Sequence, residues 1–395
     1  MHNILVIFLS VFYISDSRAN FNFLKDLSLR EVDWKRFSKT MSRQVFSEKQ
    51  WPEVVTFNEK NYKINYTFDE KLTSYVKREL GRYGSDYASI VVMDNNTGKI
   101  LTAIDYTKKT RKFGKNLTFS STNPAASVFK VITAAEILEN SKIDHTSNFT
   151  YNGRATTLYK YQLKDKKNRW TRKIKFEKAF ARSNNVVFGK AAIKNTTIED
   201  LTQMAENFGF NKKITQLVDL GSSSVYDSET EFGLAELASG FNRQTLMSPI
   251  HGALIASIIA NDGILKKPTV VSDVKDVKWE REIWSSKVNS KKVLSLETSR
   301  EMQILMEATV KRGTARGAFR PWKTKKIRDI RIGGKTGTIT GGLPMGKRDW
   351  FVSYAIPKEG KDSGISVCVM IVNVNKWYIK STALAKNIIE YYYSR

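Results

Sequence analysis

The chain has 395 residues, 41% of them apolar, enough for one large domain with an extension or for two or three domains. The net charge of +26 indicates a solvated basic surface, or one that attracts nucleic acid, anionic lipid or an anionic cell-wall polymer. The single cysteine, Cys368, excludes an intrachain disulfide, and its apolar neighbours predict a buried strand residue.

The chain begins with an apolar segment that predicts export. Residues 4–15 carry no charge, are too few to span a bilayer comfortably and are typical of a signal-peptide core. Small residues at Ser17 and Ala19 predict cleavage after Ala19, although retention as an anchor stays open. Export disfavours nucleic acid as a partner, and no nucleic-acid motif of recognised spacing is present. The predicted organisation is a signal peptide or anchor over 1–19, a short extension over 20–60 and one domain over 61–395.

The predicted elements place a helical region between two groups of strands. The first elements are a helix over 69–80 that Gly81 ends and a hairpin over 88–106 around the turn 95–98. Helices then follow over 128–139, from a Thr197 cap to Gly209, from a Ser248 cap, and from a capping box of Thr298 and Glu301 to Gly313. The last elements are strands over 331–339, 349–357 and 364–374 and a helix over 381–393. This order predicts an α+β fold with an antiparallel sheet flanked by helices and an inserted helical lobe.

Ser127 and Lys130 form an S-x-x-K motif at the start of a predicted helix. The tetrapeptide is weak evidence by itself, because it also occurs at residues 74–77 and 272–275. At a helix start, free backbone N–H groups and the helix dipole favour negative charge, as a nucleophilic oxygen requires. Lys130 lies one turn away on the same face. An ordinary N-cap serine is the alternative explanation.

A nucleophilic serine needs a base, and the three histidines of the chain support no Ser-His-Asp triad. His2 lies in the export segment, His145 in a polar loop, and His251 in a helix where it is expected to be a packing residue. Lys130 can act as the base if burial and the charge of Lys335 lower its pKa enough to supply a neutral amine.

Ser183 and Asn185 form an S-x-N motif. The hydroxyl can relay a proton to a leaving group, and the amide can hydrogen-bond an acyl-donor chain. A turn is the alternative explanation for an isolated S-x-N, and the same pattern occurs at residues 121–123.

The K-T-G-T sequence is more specific, because K-T-G occurs once in the chain. Lys335 supplies positive charge, and Thr336 and Thr338 supply hydroxyls for a substrate carboxylate. Gly337 lets a substrate backbone approach the strand edge. The N–H groups of Thr338 and Ser127 can form an oxyanion hole. A plain edge strand with a bulge is the alternative explanation.

These three motifs, in this order, resemble the penicillin-binding protein transpeptidase family, and the resemblance extends from about residue 62 to 395. The segments that carry it include NPAASVFK, RSNNVVFGK, ASGFNRQTLMSPIHGALIASIIANDG, GTARG, GGKTGT and DWFVSYAIP. The resemblance implies Ser127 as nucleophile, Lys130 as general base, Ser183 as proton relay, Asn185 as substrate ligand, and Lys335 with Thr338 as ligands of the donor carboxylate. It implies no metal and no cofactor.

The resemblance also implies a serine D,D-transpeptidase that cross-links peptidoglycan from a D-Ala-D-Ala stem peptide and is acylated by β-lactams at Ser127. The expected location is the periplasm or the outer face of the cytoplasmic membrane. The segment before residue 62 is short, so we expect a partner glycan polymerase, and an anionic wall or membrane surface is a further expected partner. Ala126 departs from the glycine that often precedes the nucleophile in the family.

Three alternatives stay open. A D,D-carboxypeptidase uses the same motifs with water as the acceptor. A class D-like β-lactamase shares them too, but usually has valine at the place of Asn185, and no clear class A carboxylate motif is present. A non-enzymatic alternative is a β-lactam-sensing or wall-binding module. The basic run over 164–175 predicts a solvated loop, with contact to wall polymer as the second interpretation.

Overall fold

The structure is a computed structural model that describes residues 32–48, 50–320, 328–359, 362, 364–374 and 376–395. The predicted export segment over 1–19 lies outside the described residues. In the part of the chain that the structure describes, no helix has the length and apolar character needed to cross a membrane.

The described elements keep the predicted order of a hairpin, helices and late strands, and they add strands within the helical region that the sequence did not predict. The strands are β1 (Val54–Phe57), β2 (Lys60–Tyr66), β3 (Tyr87–Asp94), β4 (Ile100–Thr107), β5 (Lys112–Gly114), β6 (Asn123–Pro124), β7 (Asn148–Tyr151), β8 (Arg172–Lys175), β9 (Leu246–Met247), β10 (Ile264–Lys266), β11 (Val271–Asp276), β12 (Arg281–Ser285), β13 (Ser290–Lys292), β14 (Ile330–Thr340), β15 (Lys347–Pro357) and β16 (Ile365–Asn373). The helices are α1 (Trp34–Ser47), α2 (Glu70–Tyr83), α3 (Asn116–Phe119), α4 (Lys130–Asn140), α5 (Lys160–Leu163), α6 (Phe176–Ala181), α7 (Asn185–Asn195), α8 (Ile198–Asn207), α9 (Glu231–Ser239), α10 (Pro249–Ala260), α11 (Leu296–Arg312) and α12 (Ser381–Tyr392).

A six-stranded sheet in the order β14-β15-β16-β3-β4-β5 forms the centre of the fold, and every neighbouring pair is antiparallel. Helix α10 packs on one face, and α2 and α12 pack on the other. Because both faces are covered, β16 is buried along its whole length and has a continuous apolar sequence, as a doubly covered strand should. The predicted sheet with flanking helices is therefore confirmed.

The helical lobe lies between β5 and β14 in the chain. Its centre is α4, whose residues Lys130 to Leu138 are all buried, and α7, α8, α9 and α11 contact it. Strand β14 then returns to the sheet as an edge strand. This arrangement places the start of α4 against the edge of β14.

The segment expected to be a short extension is instead packed into the body of the protein. Phe37 and Met41 of α1 are buried, and the Phe37 ring centre lies 5.5 Å from that of Phe57. Strands β1 and β2 join β11 and β12 in a second, four-stranded sheet. The expected boundary between residues 60 and 61 thus falls within the β1–β2 hairpin. The apolar residues Phe37, Met41 and Val45 do recur at helical spacing, a signal that the sequence prediction missed.

Two predicted helix ends are wrong, and two predicted caps are confirmed. Helix α2 continues past Gly81 and ends at Gly84, which has a left-handed φ of 55°. Helix α11 begins after Ser295, whose hydroxyl accepts the Thr298 N–H at 3.1 Å, so Thr298 is not the cap. Thr197 and Ser248 cap α8 and α10 as predicted.

Candidate active site

Ser127 lies in a 3₁₀ turn, Ala126–Phe129, that leads directly into α4. The expected helix start at residue 128 is therefore a 3₁₀ turn, and no side chain caps it, so the N-cap explanation for Ser127 is wrong. Ser127 is half-buried between two buried neighbours. Ala126 has a left-handed φ of 53°, a conformation that costs a non-glycine residue energy and that places the serine at the tip of a sharp turn.

Lys130 is fully buried, and its ammonium group has only neutral hydrogen-bond partners. Its Nζ lies 2.9 Å from Ser127 Oγ and 2.7 Å from Asn185 Oδ1, and it donates to the Ser239 carbonyl. Burial, and secondly the charge of Lys335, hold the pKa of Lys130 well below its usual value. A neutral amine at this position can accept the Ser127 proton.

Ser183 and Lys335 form a second serine–lysine pair. Ser183 lies between α6 and α7 with a left-handed φ of 56°. Lys335 Nζ donates to Ser183 Oγ at 2.9 Å and to the Thr336 carbonyl at 2.8 Å. Burial lowers the pKa of Lys335 to about 7. The three motifs, far apart in the sequence, thus meet at one site.

Asn185 is the first residue of α7, which Asn184 caps. Both polar atoms of its side-chain amide form hydrogen bonds within the protein. Oδ1 accepts from Lys130, and Nδ2 donates to the Thr156 carbonyl at 2.9 Å. The structure therefore gives Asn185 a clear role in holding the lysine. Its role as a substrate ligand stays a prediction.

The K-T-G-T residues lie on the edge strand β14, and the register with β15 runs without a bulge from Ile330 to Thr340. Thr336 is half-buried and Thr338 is exposed, so both hydroxyls can be reached. A Cβ on Gly337 would lie 3.3 Å from Ala126 Cβ, a tight contact. Glycine at 337 thus lets β14 pack closely on the 3₁₀ turn Ala126–Phe129 that carries Ser127, called the nucleophile turn below. This packing is in addition to the substrate approach that the sequence predicts.

The sequence did not predict two residues that complete the site. Thr314 Oγ1 lies 2.6 Å from Thr336 Oγ1, and its N–H donates to the Ala181 carbonyl at 3.0 Å. Gly240 has a left-handed φ of 63°, and a Cβ there would overlap the Ala126 carbonyl oxygen and lie 3.1 Å from Ser127 N. Both residues belong to segments that carry the family resemblance, GTARG and ASGFNRQ, which is the signal that was available.

Replacing Gly240 with alanine is expected to destabilise the protein by about 2–4 kcal/mol, because a side chain at this φ is strained and the nucleophile turn must move. The acylation rate of Ser127 is expected to fall with it. Denaturant unfolding and a stopped-flow β-lactam assay measure the two effects. Gly317→Ala is the control, since no atom lies within 4 Å of its added Cβ, and it is expected to change stability by less than about 0.5 kcal/mol. Unchanged stability and acylation in Gly240→Ala would show that the close packing does not matter.

A buried arginine joins the β14–β15 hairpin to the segment before the nucleophile. Arg348 Nε donates to Asn123 Oδ1 at 2.9 Å, and its guanidinium also donates to the carbonyls of Gly341, Pro344 and Gly346. Burial lowers its pKa to about 10. Trp350 Nε1 adds a hydrogen bond of 3.1 Å to the Pro124 carbonyl. These bonds fix β14 relative to Ser127.

The other reactive side chains of the described residues lie outside this site. His251 is buried, its Nε2 lies 2.9 Å from the Phe208 carbonyl oxygen, and burial lowers its pKa to about 4. His145 Nδ1 lies 2.9 Å from the Glu301 carboxylate. Cys368 is buried in β16, where burial raises the pKa of its thiol. In the predicted basic loop, Asp165 pairs with Lys190 at 2.5 Å.

The chain matches known proteins over most of this region. The family described as the penicillin binding protein transpeptidase domain matches residues 88–390. Stage V sporulation protein D of Bacillus subtilis is 25% identical over 70% of this chain and 44% of its own length. The chain spans about half the length of the first curated relatives it matches.

Two solved structures have the same fold. The D,D-transpeptidase domain of a peptidoglycan glycosyltransferase from Eggerthella lenta has a TM-score of 0.66 at 21% identity, over 89% of this chain and 86% of that one. The penicillin G acyl-enzyme complex of penicillin-binding protein A from Mycobacterium tuberculosis has a TM-score of 0.60 at 19% identity, over 84% and 80%.

Proposed function

Since the chain belongs to the penicillin-binding protein transpeptidase domain family, we propose that it is a serine D,D-transpeptidase that cross-links peptidoglycan stem peptides. The observation that carries the proposal is the contact of 2.9 Å between Ser127 Oγ and the buried Nζ of Lys130. A lysine amine held neutral by burial is a base that can activate a serine without histidine.

In the proposed first step, Ser127 Oγ attacks the carbonyl carbon of the penultimate D-alanine of the donor. The serine proton passes to Lys130 Nζ as the Oγ–C bond forms. The backbone N–H groups of Ser127 and Thr338 are proposed to stabilise the oxyanion. The close packing of Gly337 on the nucleophile turn supports this assignment, because it brings the two backbone segments together.

In the second half of the step, the bond from the acyl carbon to the terminal D-alanine nitrogen breaks. That nitrogen takes the proton that Lys130 accepted from Ser127, for which the Ser183 hydroxyl is the proposed relay, and Lys130 becomes neutral again. Lys335, Thr336 and Thr338 are the proposed ligands of the departing carboxylate, and the exposure of the threonine hydroxyls at the strand edge supports this. Asn185 is proposed to hydrogen-bond the donor chain once substrate rearranges its amide.

An acceptor amine then attacks the same carbon and gives a proton to the neutral Lys130. The bond from the acyl carbon to Ser127 Oγ breaks as Lys130 passes that proton to Oγ, which restores the free serine. β-Lactams are proposed to acylate Ser127 and to stay bound, as in the acyl-enzyme complex of the related structure. We further propose an exported location facing the cell wall, in the periplasm or at the outer face of the cytoplasmic membrane, with a separate glycan polymerase as partner. The exposed lysines of residues 164–175 are proposed to face anionic wall polymer.

A peptide assay tests the proposed acceptor. The purified protein is incubated with a D-Ala-D-Ala stem peptide, with and without a second stem peptide that carries a free amine, and the products are separated by mass. We expect cross-linked dimer and free D-alanine, with the dimer dependent on Ser127. Hydrolysed peptide alone would identify a D,D-carboxypeptidase, and rapid turnover of penicillin without peptide products would identify a β-lactamase.

A further inference from the structure

A groove continues from the nucleophile along the last residues of β14. One wall is formed by residues 241–244, which follow Gly240 and therefore lie next to the nucleophile turn. The other wall is formed by residues 338–340, and Lys347 and Glu236 complete the lining. The groove is thus an extension of the active site along the sheet edge.

The proposed reaction fixes which part of the donor reaches this groove. The leaving carboxylate is assigned to Lys335 and to the hydroxyls of Thr336 and Thr338, and the acyl carbon to Ser127 and the Thr338 N–H. A donor added along an edge strand is extended and advances about 3.3 Å per residue. The donor residue that precedes the acyl D-alanine therefore lies beside Ile339 and Thr340, inside the groove.

The groove presents two exposed cations at that position. Arg243 is exposed and lines the groove, and its Nε donates to the Thr340 carbonyl at 2.9 Å, which holds the guanidinium beside the end of β14. Lys347 is the cross-strand partner of Thr340. Among the described residues, neither cation forms an ion pair with a carboxylate.

The surroundings of the two cations leave the groove basic. Lys347 Nζ and Lys380 Nζ lie over the Trp377 ring, at 5.5 Å and 5.7 Å from its centre. The nearby Asp349 is buried and accepts the Ser381 N–H at 2.9 Å. Glu236 is the one carboxylate of the lining, and it is half-buried.

We propose that Arg243 and Lys347 bind a carboxylate on the side chain of the donor residue that precedes the acyl D-alanine. The inference rests on the proposed transpeptidase function and names the class of donor that the site selects. A guanidinium matches a carboxylate with paired N–H groups, which a carboxamide accepts less strongly because it carries no charge. Donors with a free carboxylate at this residue are therefore preferred over donors in which it is amidated.

The test uses two synthetic acyl-donor thioesters that differ only in a carboxylate or a carboxamide on this side chain. Thiol release measures kcat and KM for the wild type, Arg243→Gln, Lys347→Gln and the double variant. We expect the wild type to favour the carboxylate donor by roughly tenfold in kcat/KM, mainly through KM. Each single variant is expected to reduce this preference, and the double variant to remove it. Arg300→Gln, an exposed arginine on α11, is the matched control and is expected to keep it.

The ratio of kcat/KM for the two donors distinguishes a failure of this inference from a failure of the proposed function. Equal kcat/KM for both donors in the wild type would overturn the subsite, even though the enzyme is active. A preference that survives in the double variant would also overturn it. If neither thioester is turned over, the proposed function fails, and the subsite is then decided by competition. In that case the carboxylate peptide must slow labelling by fluorescent penicillin more than the carboxamide peptide does, and equal protection would reject it.

Discussion

The variant Ser127→Ala is expected to lose acylation by penicillin and to lower D,D-transpeptidation by about 10⁴-fold or more. In the proposed mechanism the Oγ of Ser127 forms the covalent bond, and alanine offers no replacement nucleophile. Ser127 is half-buried and the change removes one atom, so the folded state is expected to persist. Gel fluorescence after incubation with a labelled penicillin measures the first effect, and stem-peptide cross-linking measures the second.

The chain contains its own control for this experiment. Ser74 and Lys77 repeat the S-x-x-K pattern in α2, where both side chains are exposed. Ser74→Ala is therefore expected to label and cross-link at the rate of the wild type. Labelling of Ser127→Ala at an undiminished rate, in a sample that unfolds cooperatively, would place the nucleophile elsewhere.

The variant Lys130→Met is expected to slow acylation by about 10²–10⁴-fold, the contribution that a positioned general base makes. Methionine has a similar length and fills the buried space without an amine. The loss of hydrogen bonds to Asn185 Oδ1 and the Ser239 carbonyl is expected to cost about 1–3 kcal/mol of stability. The acylation rate constant divided by the dissociation constant for penicillin is the quantity to measure, and Lys77→Met is the exposed control.

The pH profile gives this prediction a second readout. Below the lowered pKa of Lys130, the amine is protonated and cannot accept the serine proton, so acylation falls as the pH falls. Above the Lys335 pKa of about 7, the site loses the charge that holds a substrate carboxylate, so kcat/KM also falls as the pH rises. Lys130→Met is expected to lose the acid limb. An acid limb that persists in this variant would mean that another group is the base.

The sequence predicts which residues meet at the site, because each motif lies on a helix start or strand edge that its own neighbours specify. The helical run after Ser127, the single K-T-G and the strand pattern around it indicate a serine at a helix start facing a sheet edge. The structure brings these motifs together. The apolar residues around Cys368 likewise predict a buried strand, and β16 is buried along its whole length.

The sequence does not predict features that depend on contacts between distant residues. Ala126 and Ser183 have a left-handed backbone, which non-glycine residues rarely adopt, and tertiary packing holds them in it. Gly240 looks like a helix end, yet its lack of a side chain matters because Ala126 lies against it. A buried arginine in a strand, such as Arg348, is not predicted by local sequence. Its guanidinium is stabilised by hydrogen bonds to carbonyls of the adjacent loop, which only the tertiary structure shows. The packing of α1 depends on a sheet whose strands are far apart in sequence.

A covalent bond between a β-lactam and Ser127 is the central prediction, and intact-protein mass spectrometry tests it most directly. The purified protein is incubated with benzylpenicillin, its mass is followed for hours, and the modified residue is located by peptide mapping. We predict one adduct of the complete drug, on the peptide that contains Ser127, that persists for the whole period. An adduct on another residue, or a folded protein that stays unmodified, would contradict the account.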